Sequence, residues 1–84
     1  MYKIIIKRKP QRFLDKITKT EKIRIVESIL DLKYDPTNGD IKKLSGEFKN
    51  FYRLRVGKTR ILFTKDLALQ ELTIHIIDNR GDVY

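Results

Sequence analysis

The feature that most constrains the fold is the stretch of residues 52–63, in which apolar residues alternate with arginines on both sides of Gly57 and Lys58. A two-residue connection with glycine first predicts a hairpin with a type II′ turn. The turn fixes three opposed pairs: Tyr52 with Phe63, Leu54 with Ile61, and Arg55 with Arg60. Because side chains alternate between the two faces of a strand, the apolar pairs are predicted on one face and the arginines on the other.

The second face of this hairpin is predicted to present Arg53, Arg55 and Arg60 with no carboxylate interleaved. Like charges directly opposite each other destabilise a sheet, so we expect an anion to bind among them. Phosphate is the first candidate, because the planar guanidinium binds it through two parallel hydrogen bonds and stays charged at physiological pH. The alternative is a solvated outer face, where most charged strand residues lie.

The net charge agrees with a polyanionic partner. Nineteen Lys and Arg against eleven Asp and Glu give the chain a formal charge of +8. Between residues 42 and 60 Glu47 alone opposes a run of cations, which are Lys42, Lys43, Lys49, Arg53, Arg55, Lys58 and Arg60. This distribution predicts nucleic acid or an acidic protein as the partner, and a general solubilising charge is the alternative.

Composition also excludes several classes of function. The chain has no cysteine and one histidine, which rules out disulfides, thiol nucleophiles and cysteine-based zinc sites and argues against a histidine-rich metal centre. We therefore predict no metal and no cofactor. The apolar run Ile4-Ile5-Ile6 is too short for a signal sequence or a membrane span, so we expect a cytoplasmic protein with no membrane partner. The length fits a single domain, residues 1–84.

The first half of the chain is predicted to contain one strand and two helices. Residues 2–7 are rich in isoleucine and form the strand, and Pro10 marks the start of the first helix. Thr18 and Glu21 fit a capping box, so a second helix follows at once. That helix has a broad apolar face suited to covering a sheet, formed by Ile23, Val26, Ile29 and Leu30 with Ile25 and Leu32 on its flanks.

The second half is predicted to be a three-stranded antiparallel meander. A structured loop at residues 41–50 precedes strands at 51–57, 59–65 and 69–77. The third strand should turn three residues toward the core: Leu72, Ile74 and Ile76. The predicted fold is therefore α+β: a short N-terminal strand, a two-helix hairpin and the meander, with the helices on one face of a twisted antiparallel sheet. The other face is predicted to be open and basic.

Four motifs accompany this order of elements: Leu44-x-Gly46, Tyr52-Arg53-Leu54-Arg55-Val56-Gly57, Arg60-Ile61-Leu62-Phe63 and the closing Asn79-Arg80-Gly81-Asp82-Val83-Tyr84. In the order of its elements and in these motifs the chain resembles, along its whole length, the RelE toxins of the RelE/ParE superfamily. RelE toxins are ribosome-dependent endoribonucleases that cut mRNA in the decoding A site. The resemblance therefore implies a type II toxin that inhibits translation by metal-independent mRNA cleavage.

Carried over to this sequence, the resemblance implies five catalytic residues: Arg53, Arg55, Arg60, Arg80 and Tyr84. In such enzymes a 2′-hydroxyl attacks the adjacent phosphate, so Arg60 and Arg80 are expected to clamp its non-bridging oxygens. Arg53 and Arg55 would hold flanking phosphates or supply the leaving-group proton. Tyr84 would stack on a base, orient the 2′-hydroxyl or accept its proton.

The resemblance also implies partners. Ribosomal RNA or an acidic RelB-like antitoxin is the expected ligand of four lysines: Lys42, Lys43, Lys49 and Lys58. The antitoxin would lay an amphipathic helix or an extended segment on the domain in a toxin–antitoxin hetero-oligomer, and mRNA in the ribosomal A site would be the substrate. His75 is predicted as an ordinary sheet-face histidine, and the alternative is a catalytic position beside Arg60.

Two other hypotheses stay open at the level of sequence. ParE-type relatives share the fold but poison DNA gyrase and do not cut RNA. A catalytically inactive basic binding module, or a toxin remnant that still binds an antitoxin, would also have this fold, because fold alone does not define function.

Overall fold

The computed structural model describes residues 1–79, which form two α-helices and a five-stranded sheet. The elements in chain order are β1 (Lys3–Ile6), α1 (Arg8–Lys16), α2 (Lys19–Leu32), β2 (Asp40–Lys43), β3 (Tyr52–Val56), β4 (Thr59–Asp66) and β5 (Glu71–Asp78). A short 3-10 helix, Gly46–Phe48, lies between β2 and β3. Among the helices described, none is long and apolar enough to cross a membrane.

The order of strands in the sheet is β1-β5-β4-β3-β2. The α+β prediction and the meander are confirmed, and the sheet is mixed because β1 pairs with β5 in parallel. The assignment of residues 41–50 to a loop is wrong at its start, where β2 pairs antiparallel with β3. This edge strand is short and largely exposed. It therefore lacks the apolar alternation that identifies a strand in sequence, and pairing with β3 stabilises it.

The predicted hairpin has the predicted register. β3 and β4 pair Tyr52 with Phe63, Leu54 with Ile61, and Arg55 with Arg60. Gly57 has a φ of +61°. A type II′ turn requires a positive φ at its first central residue, which glycine adopts without steric cost.

The helix α2 starts where the sequence predicts it, whereas α1 starts two residues before Pro10. The Thr18 hydroxyl accepts a hydrogen bond from the Glu21 backbone N–H at 3.3 Å, which confirms the predicted cap of α2. α1 begins at Arg8, so Pro10 lies in its first turn and is buried there. Proline is tolerated at this place because the first N–H groups of a helix have no intrahelical acceptor.

The core lies between the two helices and one face of the sheet, and its buried residues include Leu14, Ile25, Ile29, Leu32, Leu54, Ile61, Phe63, Leu72, Ile74 and Ile77. The predicted apolar face of α2 is wrong at two positions, because Ile23 and Leu30 are 49% and 45% exposed. The apolar residues of this helix spread over about half of its circumference, so periodicity alone did not determine which side contacts the sheet.

A β-bulge interrupts the pairing of β5 with β4. The register shifts by one residue between Leu62 and Phe63, which leaves His75 as the extra residue. One extra residue moves every later side chain of the strand to the opposite face. Ile77 is therefore buried in the core, and the prediction that Ile76 lies there is wrong.

Candidate functional site

The open face of the sheet is the face turned away from α1 and α2. A row of four charged residues crosses it, each directly opposite the next on the neighbouring strand: Asp40, Arg55, Arg60 and Asp78. The two arginines are opposed as predicted, but a carboxylate stands at each end of the row. Among the described residues no carboxylate lies between the two arginines, but each arginine has an acidic neighbour that the hairpin alone did not predict. Repulsion between the arginines is partly offset by the chain's own acidic residues.

Arg60 and Asp78 form a bidentate ion pair. The Arg60 Nε–H donates to Asp78 Oδ1 at 3.1 Å, and Nη2 donates to Oδ2 at 2.9 Å. The two side chains are only 16% and 26% exposed. The bulge at His75 creates this pair, because without the extra residue Asp78 would turn toward the helices. The guanidinium predicted to clamp a phosphate is thus held by a carboxylate that mimics the shape of one side of that phosphate.

Arg53 lies one step along the sheet from this row. Its Nη2 donates to Asp40 Oδ1 at 3.2 Å, whereas its Nε–H is buried and makes no hydrogen bond within the described part of the chain. Burying an unsatisfied donor destabilises a protein by about 1–3 kcal/mol, so a ligand that accepts from this N–H is favoured.

A cavity of about 190 Å³ opens beside Arg53, and we call it the cationic pocket. Its lining consists of Lys42, Leu44, Arg53, Arg55, Arg60 and Leu62. Leu62 is 1% exposed and gives the pocket an apolar base beneath its ring of cations. The volume lies below the 300–1,000 Å³ typical of sites for drug-sized ligands, and it fits a phosphate group with part of a sugar or base.

Of the four lysines predicted to bind RNA or antitoxin, Lys42 joins the arginines, because it lies opposite Arg53 and lines the cationic pocket. Lys43 follows it on the strand and so points to the other face. Lys49 comes directly after the 3-10 helix, and Lys58 lies in the β3–β4 turn beside a small cavity against α2. The structure therefore brings one of these lysines to the pocket and places three elsewhere on the surface.

A second group on the open face is the aromatic cluster, which consists of Phe48, Phe51 and His75. The rings of Phe48 and Phe51 meet edge to face with centroids 5.7 Å apart. The rings of Phe51 and His75 are tilted, with centroids 4.9 Å apart. Thr64 Oγ1 lies 2.8 Å from His75 Nε2 and fixes the orientation of the imidazole.

The surroundings of His75 favour its neutral form. Burial, together with the positive charge of Lys7, lowers the pKa of this imidazole below its ordinary value. The alternative in which His75 lies beside Arg60 is wrong, because Asp78 is the residue of β5 opposite Arg60. His75 is on the open face as predicted, at the bulge.

Two predicted catalytic residues, Arg80 and Tyr84, lie outside the described residues. Within residues 1–79 there is no group of three or more histidine, aspartate or glutamate side chains placed to hold a metal ion. The described part of the site is therefore built from guanidinium, ammonium and aromatic groups with two carboxylates.

Sequence reasoning missed both carboxylates and the aromatic cluster. Asp40 could have been found from the short run Asp-Ile-Lys-Lys, had that run been taken as an edge strand paired with β3. No sequence signal indicated that Asp78 and His75 belong to the site. Their positions depend on a bulge, and β5 contains no glycine or proline that would predict one.

The fold matches solved toxin structures over nearly the whole chain. A chain of the toxin–antitoxin complex RelBE2 from Mycobacterium tuberculosis is 25% identical, with a TM-score of 0.84 over 94% of this chain and 98% of that one. The RelE–RelB complex from Pyrococcus horikoshii OT3 gives 25% identity and a TM-score of 0.82 over 95% and 96%. The isolated E. coli RelE toxin, at 11% identity, shares the fold with a TM-score of 0.79 over 95% and 85%.

The sequence itself matches no protein-family model and no curated protein. The two-helix layer, the five-stranded mixed sheet and the structural neighbours nevertheless define the class, which is the RelE-like toxin fold. Within that class the similar structures support a RelE-type toxin of the RelE/ParE toxin–antitoxin superfamily.

Proposed function

We propose that this chain is a ribosome-dependent mRNA endoribonuclease that inhibits translation. The observation that supports this most directly is the arrangement of Arg55 opposite Arg60, with Arg53 and Lys42 one step away around the cationic pocket. Four cations around an apolar base fit a phosphodiester with a sugar attached. The likeness to RelE toxins favours RNA as the polymer.

The proposed reaction is an in-line attack of a 2′-oxygen on the adjacent phosphorus. The 2′-hydroxyl loses its proton, the new P–O bond forms, and the bond to the 5′-oxygen breaks as that oxygen gains a proton. The products are a 2′,3′-cyclic phosphate and a 5′-hydroxyl. Negative charge on the non-bridging oxygens rises in the transition state, so preorganised guanidinium groups stabilise it by about 2.7–4 kcal/mol per donor.

In this proposal the roles assigned from sequence are kept. Arg60 and Arg80 clamp the non-bridging oxygens, and Arg53 and Arg55 hold flanking phosphates or assist the leaving group. Tyr84 contacts the base or the 2′-hydroxyl. Neither a metal nor a histidine takes part, so the ribosome would have to supply much of the attack geometry.

The ion pair between Arg60 and Asp78 favours a second candidate, a binding module without catalysis. A phosphate that approaches Arg60 meets a guanidinium whose Nε and Nη2 already donate to a carboxylate. The active enzyme therefore requires the phosphate to share or displace this carboxylate. A toxin remnant would simply retain the pair.

We further propose an acidic antitoxin as the partner of this chain. Four of the similar structures are toxin–antitoxin complexes of RelE and RelB type. A charge of +8 and the cationic open face complement an acidic polypeptide. Ile23 and Leu30, half-exposed on α2, would suit the apolar side of an amphipathic antitoxin segment.

The test is primer extension on an mRNA programmed on ribosomes, beside the same mRNA free in solution. Purified protein should cut the ribosome-bound message. Arg60→Lys, which keeps a cation opposite Asp78 but loses the planar fork, should cut at least about tenfold more slowly. Arg12→Ala is the matched control, because this exposed arginine lies on α1 behind the sheet.

The possible outcomes separate the candidates. An intact message with all proteins would exclude the nuclease. Inhibition of gyrase supercoiling by the same preparation would then identify a ParE-type poison, and binding of an acidic antitoxin with neither activity would identify the binding module.

A further inference from the structure

We propose that the aromatic cluster is a base-binding site for single-stranded RNA. It would hold the base of a nucleotide whose phosphate lies in the cationic pocket. The proposal rests on the proposed function in taking RNA as the ligand of the open face. It concerns binding only, and no bond is made or broken.

The first argument is position. Phe51 precedes Arg53 by two residues, and the backbone N–H of Leu44 donates to the Phe51 carbonyl at 3.0 Å, so the pairing of β2 with β3 continues to Phe51. Side chains two residues apart on an extended strand lie on the same face, about 6.6–6.8 Å apart. The aromatic cluster is therefore the immediate neighbour of the cationic pocket. A single nucleotide, whose sugar separates base from phosphate, can span the two.

The second argument is the chemistry of the cluster. Phe51 and His75 are half-buried on the face turned away from α1 and α2, and Phe48 is 37% exposed. Aliphatic side chains would also cover this part of the sheet, but aromatic rings in addition stack on nucleobases whatever the sequence. Burial and Lys7 lower the pKa of His75, so its ring is largely neutral at pH 7 and stacks without adding charge.

The third argument is charge. Lys42 lines the adjacent pocket and Lys49 follows the 3-10 helix that presents Phe48. An aromatic surface bordered by cations is the combination found in proteins that bind single-stranded nucleic acid, where the cations follow the phosphates and the rings hold the bases. An acidic peptide would satisfy the cations but offers no planar group at each step to contact the rings.

The experiment measures binding without cleavage. A 5′-fluorescein hexamer of 2′-O-methyl uridine cannot undergo 2′-oxygen attack, so fluorescence anisotropy reports its equilibrium Kd with the intact protein. A matched hexamer with abasic residues at its central positions keeps every phosphate and lacks the bases. The intact hexamer should bind at least about fivefold more tightly than the abasic one.

The variants assign this difference to the cluster. Phe51→Leu should weaken binding of the intact hexamer about 5- to 100-fold and leave the abasic hexamer unchanged. Phe48→Leu, at an exposed position where folding is safe, should give a smaller loss of the same kind. Tyr34→Leu removes an aromatic ring that is 73% exposed and lies in the turn after α2. This variant should bind both hexamers with the parent affinity.

The salt dependence of the Kd distinguishes contacts to the base from contacts to the phosphate. Phe51→Leu should leave the slope of log Kd against log salt unchanged, because no phosphate contact is lost. Lys42→Ala should reduce that slope by about 0.7 and weaken both hexamers equally.

The proposal is overturned if the abasic hexamer binds as tightly as the intact one. Equal binding by Phe48→Leu, Phe51→Leu and the parent protein, all shown to be folded by circular dichroism, would also overturn it. Base-dependent binding without cleavage on ribosomes would remove the nuclease proposal alone. Cleavage without base-dependent binding would remove the base site alone.

Discussion

The bidentate pair of Arg60 and Asp78 should contribute measurably to folding, and a double-mutant cycle tests this. The cycle compares the parent with Arg60→Gln, Asp78→Asn and the double variant. Asparagine matches the shape of aspartate, glutamine is shorter than arginine but keeps a hydrogen-bonding amide, and both substitutions remove the charge. The quantity of interest is the coupling free energy between the two sites.

The magnitude follows from geometry and exposure. With oxygen and nitrogen atoms 2.9 and 3.1 Å apart, the charge centres lie about 4 Å apart, which gives about 4 kcal/mol of attraction at an effective dielectric constant of 20. Desolvation of the two ions opposes this gain. Exposed pairs couple by about 0.2–1 kcal/mol, whereas removal of one partner of a buried pair costs about 3–5 kcal/mol. Because the side chains are 16% and 26% exposed, we expect a coupling of about 2 kcal/mol.

The assay is urea unfolding followed by circular dichroism, with all four proteins at the same pH and ionic strength. A domain of 84 residues is stable by about 4–13 kcal/mol, so the single variants remain folded unless the parent lies at the bottom of this range. A coupling below about 0.5 kcal/mol would refute the reasoning, since it would show that solvent screens the pair as it does at a surface. A coupling that falls by half in 1 M NaCl would have the same meaning.

Three further predictions concern the fold and the histidine. Burial lowers the pKa of His75 in the folded protein, so this imidazole binds a proton more tightly in the unfolded chain. The free energy of unfolding should therefore fall as pH drops through about 6.5. His75→Gln should remove this part of the pH profile. His75 is the one histidine of the chain, so its NMR titration is read without overlap. The titration midpoint should lie below pH 6.5, and a midpoint at or above 6.5 would contradict the lowered pKa. Ile29→Ala should lower the free energy of unfolding by about 2–5 kcal/mol in urea, because Ile29 is buried, and Ile23→Ala should lower it by less than about 1 kcal/mol. Equal losses for the two variants would contradict the observed buried face of α2. Gly46→Ala should destabilise the fold by about 1 kcal/mol because the φ of Gly46 is +69°. Gly39→Ala should destabilise it more, because the new Cβ would also lie 3.1 Å from Leu54 Cδ1. Thermal melts that show a larger loss for Gly46→Ala would exclude this contact as a cause.

Much of the architecture follows from local sequence rules. The Gly57-Lys58 turn sets the register of β3 against β4, and the alternation of the flanking residues sets their faces. The Thr18 cap likewise starts α2 where the sequence predicts. These features depend on neighbouring residues, and the interactions that form them are short in range.

Features that depend on distant parts of the chain were not predictable in the same way. Which side of α2 is buried depends on how it lies on the sheet, and its sequence is apolar on both candidate sides. β2 is a strand because β3 has an edge to pair with, although its own residues are mostly polar and exposed. Each outcome follows from packing of elements that meet only in the folded state.

The sequence by itself determined the α+β class, the hairpin register and the gathering of Arg53, Arg55 and Arg60 on one face. The tertiary structure decided what these arginines contact. One extra residue in β5 turns Asp78 toward Arg60 and sets His75 beside Phe51, because side-chain direction in a strand reverses with every residue and a bulge resets it. Charge composition could predict an anion-binding face, and only the three-dimensional pairing showed that a carboxylate of the same chain already occupies part of it.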